Sequence, residues 1–139
     1  MRAQSLPSIP NARILVVDDD LMVCSFLRDV FYRQGYQTQF ASTGREALSL
    51  IEQQPPDVLV LDLTMPAMNG VDMLRRLKAD YPGGFPFGVI IITGNMESPI
   101  FDEALQLGVL DILLKPMSLM QIQAAVRLQL KLLADQRPS

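Results

Sequence analysis

The stretch Pro56-Asp57-Val58-Leu59-Val60-Leu61-Asp62-Leu63-Thr64-Met65-Pro66 decides the fold of this chain. Val58 to Leu61 form an unbroken apolar run, the pattern of a strand whose side chains meet apolar neighbours on both faces. The run stops at a single carboxylate, Asp62. Thr64, Pro66 and Asn69-Gly70 then carry turn chemistry and lead into a helix expected from about Val71 to Ala79, with Leu74 and Leu77 inward. Asp62 is thereby placed at the carboxyl end of a central parallel strand, the edge at which open α/β sheets bind ligands. An anion at the end of an apolar strand needs a partner, because an isolated buried charge is costly.

Outward from that strand, the same alternation repeats. Arg13 to Val17 read as a buried strand ended by Asp18-Asp19-Asp20. Val23, Phe26, Leu27, Val30 and Phe31 recur at helical spacing, with Gly35 placed to end the helix. Tyr36 to Ala41 form a more polar strand suited to a sheet edge. Thr43 and Glu46 have the spacing of a capping box and open a helix through roughly Gln53, which Pro55-Pro56 stops. Val89 to Ile92 are a β-branched strand ended by Thr93-Gly94. Ser98-Pro99 opens a fourth helix carrying Ile100, Phe101, Ala104 and Leu105 and stopping at Gly108. Val109 to Leu114 read as the fifth strand, ended by Lys115-Pro116, and Ser118 with Gln121 caps a last helix to about Asp135. Five βα units in succession imply an α/β fold, a doubly wound parallel sheet with helices on both faces.

The bulk numbers bound the chemistry. With 139 residues, 49% hydrophobic and 19% charged, the chain suits one core-bearing domain. Residues 1–11 read as a flexible tail, 12–136 as the domain and 137–139 as an end or the start of a linker. No apolar run approaches the ~20 residues that span a bilayer, so no membrane segment is expected. The net charge of −3 and the lack of a basic cluster argue against direct nucleic-acid binding. The single cysteine, Cys24, points to a cytoplasmic protein and reads as a small core thiol. Histidine is absent, which removes catalytic triads and most zinc sites.

Parallel topology brings the strand ends together: Asp18-Asp19-Asp20, Asp62, Thr93 and Lys115 fall on one sheet edge. Like-charged carboxylates at ~4 Å repel by roughly 4 kcal/mol per pair at an effective dielectric near 20. Lys115 offsets part of this, and a hard divalent cation offsets more. An all-oxygen carboxylate set without His or Cys suits Mg²⁺. Asp62 can then attack phosphorus and become an acyl phosphate. Mg²⁺ and Lys115 would neutralise the phosphoryl oxygens while Thr93 donates to one of them.

On Ile14-Leu15-Val16-Val17-Asp18-Asp19-Asp20, Leu61-Asp62-Leu63-Thr64-Met65-Pro66, Ile92-Thr93-Gly94 and Leu114-Lys115-Pro116, the chain resembles the response-regulator receiver domains of two-component signalling, over about Arg13 to Gln136. The resemblance implies a flavodoxin-like strand order 2-1-3-4-5 and Asp62 as phosphoacceptor. It implies Asp18, Asp19, Asp62 and the Thr64 backbone carbonyl as Mg²⁺ ligands, Thr93 as the switch hydroxyl and Lys115 as the phosphate-contacting lysine before a cis proline. Asp20 fills a third acidic position without a ligand role. The implied partner is a sensor histidine kinase or phosphotransfer protein, and self-phosphorylation from small phosphodonors and autodephosphorylation are expected. Ile112 departs from the family, which usually carries Tyr or Phe there, and Met117 stands where Phe is frequent.

Three further expectations concern the surroundings of the site. Met65 and Met68 lie beside Asp62 in sequence and are placed to line its cleft. Thr64 and Asn95, two residues beyond Asp62 and Thr93, are placed to contact attacking water. In the last helix, Leu119, Ile122, Val126, Leu130 and Leu133 make one stripe, and Met120, Ala124, Leu128 and Leu132 make a second. This surplus fits either a contact through the fourth and fifth helices with a second copy or an output domain, or a helix buried all round. Two rival functions remain: a pseudo-receiver that binds proteins without being phosphorylated, and an aspartyl-phosphate phosphatase of the haloacid-dehalogenase type. The latter usually has a second Asp two residues after the nucleophile, where this chain has Thr64.

Overall fold

A computed structural model describes residues 11–63, 70–95, 99–109 and 111–136. Five strands alternate with five helices: β1 (Arg13–Val17), α1 (Leu21–Arg33), β2 (Gln37–Ala41), α2 (Gly44–Gln53), β3 (Val58–Asp62), α3 (Gly70–Asp80), β4 (Gly88–Thr93), α4 (Pro99–Gln106), β5 (Ile112–Leu114) and α5 (Leu119–Gln136). The strands are all parallel and lie in the order β2-β1-β3-β4-β5. β3 is central and buried at every residue, as its uninterrupted apolar run requires.

Successive side chains of each strand serve opposite faces. Leu15, Val17, Leu59, Leu61, Val89 and Ile91 pack under α2, α3 and α4 through Ala47, Ile51, Met73, Leu74 and Ala104. Ile14, Val16, Val58, Val60, Ile90 and Ile92 pack under α1 and α5 through Leu27, Phe31, Ile122 and Val126.

Helix ends follow the sequence signals. Gly35 adopts a positive φ of 83° just beyond the Gln34 C-cap of α1. Thr43 Oγ1 accepts from Glu46 N at 3.1 Å, while Glu46 Oε1 accepts from Ser42 N at 3.1 Å. Ser118 and Gln121 make the reciprocal pair at 3.1 and 2.8 Å. The Ser98 cap expected for α4 lies outside the described residues.

Three expectations are corrected. β5 begins at Ile112 rather than Val109, pairing with β4 only over Ile91↔Ile112 to Thr93↔Leu114. Tyr36 precedes β2 instead of opening it, and its buried ring meets Phe31 edge to face. Leu119 is exposed together with Met120, Leu128 and Leu132, so α5 is not buried all round; its inward stripe is Ile122, Ala125, Val126, Leu130 and Leu133. The physical reason is geometric: one face of α5 suffices to cover the sheet.

Candidate functional site

The carboxyl edge of the sheet gathers the acidic side chains. β1 ends one residue before Asp18 and β3 ends at Asp62, so neighbouring parallel strands deliver both carboxylates to one place. Asp18 is 1% exposed and Asp62 3% exposed, among the least accessible charged groups of the chain. Asp19 is exposed beside them. One oxygen from each of Asp18, Asp19 and Asp62 falls within 4.8 Å of the others.

Lys115, directly after β5, reaches back across the edge. Its Nζ lies 3.0 Å from Asp18 Oδ2 and 3.4 Å from Asp62 Oδ2. Burial works to lower the Lys115 pKa, but the carboxylates of Asp18 and Asp62 more than reverse it, leaving the ammonium above the ordinary lysine value. The Lys115–Pro116 peptide is cis, as the resemblance implies. Asp18 Oδ1 accepts from Asp20 N at 2.9 Å. Among the described residues, Asp18 Oδ2 is buried without an aligned hydrogen bond and faces the lysine charge.

Asp20 has a role that its sequence position announces. Its Oδ1 accepts from Met22 N at 2.9 Å and Val23 N at 3.3 Å, capping α1. The third Asp is therefore a helix cap, turned toward the α1 amides. An Asp directly before an amphipathic helix is the signal that identifies it.

Thr93 is 1% exposed at the end of β4. Its hydroxyl donates to the Asn95 carbonyl at 3.3 Å and accepts from Asn95 N at 3.2 Å. The hydroxyl is thus engaged in a local turn in this state. Asn95 takes part through its backbone. Ile112 is half-buried and packs against the core face that holds Ala104 of α4. Cys24 is buried beside the site, and its thiol donates to the Asp18 carbonyl at 3.4 Å. Burial, then the Asp18 charge, pushes that thiol's pKa up, which suits an inert core cysteine. Thr64, Met65 and Met68 lie outside the described residues.

Three acidic side chains, an ammonium and a hydroxyl therefore share one edge of a parallel sheet. Such a set can accept a phosphoryl group and balance its charge.

Residues 14–127 match the response regulator receiver domain family. The chain is 35% identical over 122 residues to sporulation initiation phosphotransferase F of Bacillus subtilis, covering 88% of this chain and 96% of that protein. It is 34% identical over 119 residues to the DNA-binding response regulator MtrA of Mycobacterium tuberculosis, covering 86% of this chain but only 50% of that protein. It thus spans about half the length of the MtrA proteins it resembles. Among solved structures, a Francisella response regulator receiver domain superposes with a TM-score of 0.77 at 32% identity, covering 87% of this chain and 98% of that one. A CheY-like receiver domain from Methanospirillum hungatei superposes with a TM-score of 0.83 at 23% identity, covering 91% and 99%, which speaks to the fold. The strand order, the residues matched and the relatives together establish that this chain belongs to the response regulator receiver domain family.

Proposed function

We propose that the chain is a phosphorylation-controlled signalling switch in which Asp62 accepts a phosphoryl group from the phosphohistidine of a sensor histidine kinase or a phosphotransfer protein. A carboxylate oxygen of Asp62 forms the new bond to phosphorus as the P–N bond breaks, and the imidazole departs with its electron pair. The observation that carries this reading is Lys115 Nζ, held 3.0 Å from Asp18 and 3.4 Å from Asp62 where it can meet incoming phosphoryl oxygens. Thr93 would leave its turn with Asn95 to donate to one of those oxygens.

The donor set fits Mg²⁺. Its ligands would be Asp18, Asp19 and Asp62, all oxygen donors within reach of one another, with the Thr64 carbonyl as a further one. Asp18 Oδ2, buried and without an aligned hydrogen bond among the described residues, is the atom such a cation would satisfy. Bound Mg²⁺ supplies charge neutralisation for the carboxylates and the phosphoryl oxygens. Asp18 and Asp19 orient the site, and Lys115 keeps its proton to hold the transferred group.

The fourth and fifth helices form the proposed surface for a second copy or an output domain, supported by exposed Leu105, Leu119 and Met120. With a net charge of −3, this domain is not proposed to touch nucleic acid itself. No helix among the described residues is long and apolar enough to cross a membrane; the cytosol, where such kinases present their phosphohistidine, is the proposed compartment.

Intact mass after incubation with acetyl phosphate and Mg²⁺ tests the reading. One added phosphoryl group is expected, absent in Asp62→Ala and absent without Mg²⁺. No adduct, together with no binding of beryllofluoride, would refute it and leave a protein-binding module that is never phosphorylated, the reading that Ile112 favours.

A further inference from the structure

Gly70 opens α3 and lies directly against the backbone that carries Asp62. Its N–H donates to the Leu63 carbonyl at 2.8 Å. A methyl group on its Cα would stand 2.4 Å from the Asp62 carbonyl oxygen and 2.7 Å from Leu63 Cα. Both are backbone atoms, so no side-chain rotation relieves the overlap. Ordinary contact begins near 3.4 Å, so about 1 Å of separation would have to be found.

The two sides do not resist equally. α3 is anchored by the buried side chains of Val71, Met73, Leu74 and Leu77. β3 pairs with β1 only as far as Val17↔Leu61, whereas its pairing with β4 runs on to Asp62↔Ile92. The Asp62 end of the strand is therefore held from one side, and the displacement falls there.

We infer that Gly70 is a positioning residue. Its missing side chain lets the first turn of α3 seat on the Asp62–Leu63 backbone, which sets the acceptor carboxylate against Lys115 and the Asp18–Asp19 pair. This inference rests on the phosphoacceptor reading of Asp62.

The test compares Gly70→Ala with Gly88→Ala in the full chain. Gly88 is the control away from the site: its added methyl would meet the Gln129 side chain at Cβ and Oε1, both at 2.7 Å, a close overlap at the amino edge of the sheet. Phosphoryl uptake from acetyl phosphate is followed at saturating Mg²⁺, on protein shown by circular dichroism to be folded. A misplacement of about 1 Å in a reacting group can slow a reaction by about 100-fold, so Gly70→Ala should lower the maximal rate by roughly 10- to 100-fold. The donor concentration for half-maximal rate should stay nearly unchanged, and Gly88→Ala should react like the parent protein. An unchanged rate in Gly70→Ala, or an equal loss in Gly88→Ala, overturns the inference. Should Gly70→Ala unfold in buffer alone, the same rates are measured in concentrated sucrose, which is excluded from the protein surface and restores the folded state. A slower rate would then support the inference and an unchanged rate would overturn it. Crystal structures separate this inference from the functional reading. If the parent protein takes up no phosphoryl group, a shift of Asp62 away from Lys115 in Gly70→Ala alone still upholds the positioning role, and its absence overturns it.

Discussion

Lys115 holds two buried carboxylates that would otherwise face each other. Asp18 and Asp62 are both nearly inaccessible, so Lys115→Ala strands them without a cation and should destabilise the fold by about 1–3 kcal/mol. Urea denaturation with and without Mg²⁺ checks this: the loss should shrink when the metal is present, since the cation replaces the missing charge. Tyr36 provides a pH test away from the site. Its hydroxyl is buried without an aligned partner among the described residues. Burial pushes its pKa above the ordinary 10.0, and the Arg127 charge pulls back only part of the way. A raised pKa means that the folded state keeps the proton longer than the unfolded chain. The stabilisation is therefore fully present below pH 10.0 and is lost as pH rises through the higher folded value. Tyr36→Phe should remove this alkaline slope and cost little at neutral pH, as measured by stability against pH. Asp62, Asp18 and Lys115 were legible in sequence because each directly follows an apolar run, and Asp19 because it adjoins Asp18. The Thr93 turn with Asn95 was not, because a hydroxyl's partner depends on local backbone geometry.

The helices owe their starts to a few side chains. Asp20, Thr43 and Ser118 each accept from an amide in the first turn of their helix. Replacing any one with Ala should cost about 1 kcal/mol, and replacing two should cost about the sum, because the caps lie on separate helices. Asp20→Asn keeps the acceptor and should be nearly neutral, and Asp20→Ala should still take up a phosphoryl group. Thermal melts and the intact-mass assay separate these outcomes, and loss of uptake in Asp20→Ala would show that the cap also serves the metal. Capping spacing is local, so the sequence displays it. The short β5 was not legible, because Val109 serves the core without entering the ladder: it is buried yet outside the strand.

The molecule as a whole is a sheet sandwiched between two helical layers, and β3 belongs to both cores. Leu59 faces one and Val60 the other. Leu59→Ala should lower stability by about 2–5 kcal/mol, because its fully buried site cannot collapse between bonded strands. Leu128→Ala, on the exposed edge of α5, should stay within about 0.5 kcal/mol. A large loss there in the isolated domain would mean that this edge is covered in solution. Urea denaturation as a function of protein concentration checks both, since stability that depends on self-association rises with concentration.

The sequence by itself determined the alternation of strands and helices, the two-sided burial of β3 and the identity of the residues at the strand ends. Those features rest on local periodicity and on turn chemistry within a few residues. Tertiary structure decided the rest. It chose which carboxylate Lys115 lies nearest and left one stripe of α5 to solvent. It also set Gly70 against the Asp62 backbone. Each of these joins residues from different elements, and their separation is fixed only when the sheet is assembled and the helices settle on its faces.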